Sequence, residues 1–124
     1  MAGEGGTVTP VEVATLVESR PGRWADEEQL QEHLDRTLAP LGFVREVVAG
    51  GDRFDFWHPD GCVVEVKVAG SVASVLRQLV RYASRDDVSS LVLATTKPWH
   101  WAVSPVELNG KPVAVARLWL WGVM

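Results

Sequence analysis

The chain is expected to fold as an α/β domain in which helices flank a mixed sheet, and three observations predict this. Helical and β-prone segments follow one another as helix, three strands, helix, strand, an αβββαβ order with one further strand behind it. The first three strands are separated by short turns, as in a meander, whereas the third and fourth are separated by a whole amphipathic helix, an order for which a mixed sheet flanked by helices is natural. Cys62 to Val68 is the most β-prone run in the sequence.

Each element has local signals. Thr9-Pro10-Val11-Glu12 has the capping-box spacing with proline at the first helical position, and Arg20-Pro21-Gly22 supplies a stop, so a short helix is predicted over 10–20. Asp26 is the next N-cap, with Gln29 three residues on, and Leu30, Leu34 and Leu38 recur at four-residue spacing up to Ala39-Pro40. Phe43 to Val48 and Arg53 to Trp57 read as strands around Gly50-Gly51, and His58-Pro59-Asp60-Gly61 closes a second hairpin. A helix over 72–85, a buried strand over 90–95, a helical turn at Ser104-Pro105-Val106-Glu107, an Asn109-Gly110 turn and a last strand from Val113 to Trp121 complete the reading.

At 124 residues and 47% hydrophobic content the chain suits one domain, taken as 9–124 after a flexible start over 1–8. A net charge of −4 argues against an unfocused polybasic binder, so any nucleic-acid contact must use a local patch. A lone cysteine, Cys62, allows no internal disulfide, no apolar stretch is long enough to cross a bilayer, and Met1 to Gly6 lacks an export pattern. A cytoplasmic location without membrane contact is expected. Six tryptophans are many for this length; Leu118, Trp119, Leu120 and Trp121 put bulky groups on both strand faces, which suits either core packing or a subunit surface.

The chemistry gathers on two strands. Alternation sets Val63, Glu65 and Lys67 on one face of the third strand. On the second, Phe54 and Phe56 are expected to share a face and leave Asp55 to project oppositely with Trp57, so that the hairpin carries Asp55 beside Glu65. Adjacent carboxylates repel unless a cation lies between them, and oxygen ligands of this kind suit magnesium. A lysine beside that ion can position or deprotonate a water. A Glu-x-Lys alone says little, since many solvent faces of sheets carry charged pairs.

Taken together, Asp52-Arg53-Phe54-Asp55-Phe56, Val64-Glu65-Val66-Lys67-Val68 and Gln78-Leu79-Val80-Arg81-Tyr82 resemble the PD-(D/E)XK nuclease superfamily, closest to its RecB-like and Holliday-junction-resolvase branches, over roughly Asp26 to Thr95. The resemblance implies a restriction-endonuclease-like core and a metal-dependent DNA endonuclease acting on branched or duplex DNA. It implies Asp55 and Glu65 as ligands of Mg2+ or Mn2+, the Val66 carbonyl as a further ligand, Lys67 beside the water, and Gln78 and Tyr82 as site or substrate contacts. Phe54 departs from the proline of the family name. The superfamily also contains members without catalysis, so a silent nucleic-acid-binding or protein-interaction module is the alternative. Small stand-alone chains of this kind resemble nucleases of phages and mobile elements, and resolvase-like relatives are commonly homodimers, for which Trp119 and Trp121 are the expected contacts.

Two further groups complete the expected site. Arg77, Arg81 and Arg85 recur every four residues as one exposed stripe, which with Arg53 would face phosphates or, in the plainer reading, only solvent. On the earlier helix, Leu30, Leu34 and Leu38 lie within about 60° of Glu27 while Glu28 lies about 100° away, placing Glu27 on the buried stripe. The resemblance favours the same residue as a third metal ligand; the plainer reading gives both glutamates only a favourable place at the positive end of the helix.

Overall fold

The computed structural model of the protein describes residues 7–20, 22–102 and 105–118. Helix α1 (Pro10–Glu18) begins on Thr9, whose hydroxyl accepts the Glu12 N–H at 3.2 Å while the Glu12 carboxylate accepts the Thr9 N–H, also at 3.2 Å. Helix α2 (Glu27–Leu38) begins on Asp26, which accepts the Gln29 N–H at 2.9 Å. Gln29 overshoots the reciprocal position and takes the Ala25 N–H at 2.8 Å.

Strands β1 (Val44–Ala49), β2 (Asp52–Trp57) and β3 (Cys62–Lys67) form the antiparallel meander. Helix α3 (Val72–Ala83) returns the chain so that β4 (Ser90–Thr95) runs parallel to β3, and β6 (Lys111–Arg117) runs parallel to β4. The short β5 (Glu107–Leu108) closes the edge, giving a six-stranded mixed sheet in the order β1-β2-β3-β4-β6-β5. This is the α/β architecture expected, with the αβββαβ order intact from α2 to β4.

Two cores hold it. On one face, Val13 and Val17 of α1 and Leu30, Leu34 and Leu38 of α2 pack with Phe56, Val64, Val66, Val92 and Ala94. On the other, Val75, Leu79, Tyr82 and Ala83 of α3 pack with Phe54, Val63, Leu91 and Leu93. Leu30, Leu34 and Leu38 are all but fully buried, and burial of this kind is worth about 1.5–3 kcal/mol per side chain.

The C-terminal third departs from expectation. Helix α4 (Pro98–Ala102) was not foreseen, and Glu107 belongs to a strand rather than a helical turn; Ser104 lies outside the described residues. The reason is the turn that follows: Asn109 and Gly110 take φ of 50° and 76°, the geometry of a tight hairpin, which pairs Leu108 with Lys111 and draws Glu107 opposite Pro112. The last strand starts at Lys111, two residues before the predicted start, and Trp119 and Trp121 lie outside the described residues.

Candidate active site

The β2–β3 ladder pairs Trp57 with Val63 and Phe56 with Val64, then stops. Continued in register it would set Asp55 against Glu65 and bring the Val66 N–H to the Phe54 carbonyl, since His58 and Cys62 already form a hydrogen-bonded pair at its start. Instead the Asp55 carboxylate takes the Val66 N–H at 2.8 Å, a side chain standing where a strand would be.

The cause lies on β1. Glu46 sits between the pairs Arg45–Phe56 and Val47–Phe54, hence opposite Asp55, with φ of 58°. A left-handed non-glycine residue inside a strand turns the local chain over. Arg45 and Phe56 face α2, whereas Val47 and Phe54 pack on the α3 side. Phe54 and Phe56 therefore do not share a face, contrary to simple alternation; Phe54 stacks on Trp57 with ring centroids 5.4 Å apart.

Asp55 and Glu65 are only 5% and 4% exposed. Lys67 places its ammonium 3.7 Å from Glu65 Oε2, while Glu65 Oε1 is buried without a hydrogen-bond partner among the described residues. Burial, with the Asp55 charge beside it, pushes the Glu65 carboxyl up to about 8; the Lys67 charge opposes that rise. Tyr82 joins from α3, its hydroxyl donating to the Arg53 carbonyl at 2.9 Å and accepting from Gln78 Nε2 at 2.9 Å. Burial and the Glu65 charge push this phenol up to about 12, so it is neutral at ordinary pH. The fold thus gathers Asp55, Glu65, Lys67, Gln78 and Tyr82, with Val66 entering through its N–H.

Glu27 is placed differently. It is exposed in the first turn of α2, and the buried polar residue on that stripe is Gln31, one turn later, whose Nε2 donates to Glu27 Oε2 at 3.4 Å. The helix start leaves the Glu27 side chain in solvent although its angular position is right. Arg45 links Gln31, at 3.4 Å, and Glu28, at 3.1 Å, to β1. Among the described residues no three histidine, cysteine, aspartate or glutamate side chains gather as a metal-binding group, so Asp55 and Glu65 stand as a pair.

The arginine stripe folds back on the protein. Arg81 and Arg85 both bind Asp52, at 2.8 and 3.0 Å, Arg85 also binds Asp87 at 2.9 Å, and Arg53 lies 3.6 Å from Glu46. The Arg81 hydrogen bond holds the Asp52 carboxyl below its usual range. Arg77 is exposed and makes no ion pair among the described residues.

Sequence reasoning gave no role to His100, which is 2% exposed. Its Nε2 faces the Gly70 carbonyl at 3.0 Å and its Nδ1 the Thr95 hydroxyl at 2.7 Å. A carbonyl only accepts, so in the neutral ring Nε2 carries the proton and Nδ1 accepts from Thr95. Thr95 is the β4 partner of Lys67, so this pair borders the site.

The fold is that of an α/β protein with a six-stranded mixed sheet packed against helices. Comparison with protein-family models, with curated proteins and with solved structures finds no match for the chain. No described helix is long and apolar enough to cross a membrane.

Proposed function

We propose that the protein is a metal-dependent DNA endonuclease of the PD-(D/E)XK type, hydrolysing phosphodiesters in branched or duplex DNA. One observation carries this reading: a buried carboxylate oxygen, Glu65 Oε1, has no hydrogen-bond partner among the described residues, beside a second buried carboxylate, while the other oxygen of Glu65, Oε2, lies 3.7 Å from the Lys67 ammonium. An orphaned oxygen in a cluster of this charge fits a hard divalent cation such as Mg2+ or Mn2+, held by Asp55 and Glu65. When bound, such an ion supplies positive charge to a phosphate and lowers the pKa of a water.

The chain's own residues divide the remaining work. Asp55, fixed by the Val66 N–H, keeps one carboxylate in place before any ligand arrives. Glu65 is held partly protonated near neutrality and gives up that proton when a cation replaces it. Lys67, partly exposed, donates hydrogen bonds on the solvent side, where a water or phosphate oxygen enters. Tyr82 and Gln78 close the floor as neutral groups.

A second reading, a nucleic-acid-binding or protein-interaction module without cleavage, is favoured by the two-carboxylate site and by the engagement of Arg81 and Arg85 with Asp52. Incubation with single-stranded, duplex and branched DNA in Mg2+, Mn2+ or EDTA separates them. Cleavage only with metal supports the endonuclease; intact DNA under every condition overturns it.

A further inference from the structure

Beyond the ends of the parallel strands β3 and β4, Thr96 donates its N–H to the Lys67 carbonyl at 3.1 Å, so the segments after Lys67 and Thr95 run side by side. The outer end of parallel strands is where open α/β sheets take their ligands. Over this end stands Trp99 of α4, at 50% the most exposed aromatic side chain among the described residues. It is not a loose side chain. Its indole N–H donates to the Gly70 carbonyl at 3.2 Å, the oxygen that also takes His100 Nε2 at 3.0 Å, and the buried His100 ring meets it edge-on with centroids 5.9 Å apart. Gly70 follows Lys67 by three residues and so lies within about 11 Å of it. Lys97 holds its ammonium over the Trp99 ring, 5.4 Å from the centroid, adding to Lys67 a second cation at this end of the sheet.

We propose that Trp99 is a stacking platform for one unpaired base of the strand entering the Asp55–Glu65–Lys67 site, with Lys97 contacting that nucleotide's phosphate. The proposal rests on the endonuclease reading and adds a strand preference to it. A fixed, half-exposed indole presents flat apolar surface beside the Lys97 ammonium at an ordering cost already met, and every base has a matching face. Within a duplex those faces are covered by neighbouring bases, so the platform serves a single strand, a frayed end or the open arm of a branch. The adjacent ammonium supplies the phosphate contact that a purely apolar partner would not need.

The test is fluorescence anisotropy in EDTA with a short single-stranded oligonucleotide and a blunt duplex of the same sequence, using full-length wild type, Trp99→Ala and Trp99→Phe. Expected is a loss of about tenfold in single-strand affinity for Trp99→Ala, most of it restored in Trp99→Phe, with duplex binding unchanged. Unchanged single-strand affinity in Trp99→Ala, an equal loss with the duplex, or a Trp99→Phe variant as weak as the alanine one overturns the platform. Cleavage is scored separately on the same substrates. Trp99-dependent binding without cleavage removes the endonuclease reading and leaves the platform; metal-dependent cleavage with unaltered strand preference in Trp99→Ala does the reverse.

Discussion

The Asp55 carboxylate accepts the Val66 N–H at 2.8 Å, so one side chain both ends the β2–β3 ladder and presents an acid to Glu65. The two roles separate by substitution. Asp55→Asn keeps an acceptor and should fold with near-native stability while losing metal affinity in calorimetry. Asp55→Ala leaves a buried N–H unpaired and should cost about 1–3 kcal/mol in denaturant unfolding.

Among the described residues the Lys67 ammonium pairs with Glu65, at 3.7 Å. Lys67→Ala is expected to abolish cleavage while leaving the denaturation midpoint and the magnesium dissociation constant within a few-fold of wild type. Undiminished turnover would remove the residue from the chemistry.

The raised Glu65 carboxyl links stability to pH. Its folded value, about 8, lies above the ordinary 4.5, so the folded state binds more protons between these limits and stability falls as pH rises through that window. The slope is at most about 1.4 kcal/mol per pH unit. Metal-free protein should melt at progressively lower temperature from pH 5 to 8, Glu65→Gln should flatten that part of the profile, and magnesium should release protons on binding.

Glu46 holds the turn-over of the strand pair at φ of 58°. Glu46→Gly should preserve cleavage and keep or raise stability, since its two ion pairs are long, at 3.6 Å, and the Glu46 carboxylate in both is solvent-exposed, so they contribute little. Glu46→Val should cost about 1–2 kcal/mol and depress cleavage by re-aiming Asp55. Equal behaviour of the two variants in unfolding and cleavage assays would show that the backbone conformation at this position is not what aims the acid.

What the sequence discloses here is what local rules carry. The Thr9 and Asp26 caps and the Leu30-Leu34-Leu38 spacing depend on residues within one or two turns, and Glu65 and Lys67 share a face because alternation on β3 is unbroken. Three features escape such rules. The facing of Phe54 depends on a left-handed residue in the neighbouring strand. The fate of Arg81 depends on Asp52, 29 residues away, although its spacing from Arg77 and Arg85 was plain. Helix α4 spans five residues, too few to show a period, and is held by side-chain bonds to Thr95 and Gly70. Glu27 fails for a fourth reason: angle around a helix does not fix depth at its first turn.

The split between β2 and β3 also bears on how this chain can change over time. Under the proposed endonuclease reading, a variant lineage that no longer cleaves can shed Lys67 at little structural expense, while position 55 must keep an acceptor, aspartate or asparagine, to finish the sheet. Retention of an acceptor at position 55 among divergent copies would therefore report the scaffold, and the state of the lysine would report the proposed activity.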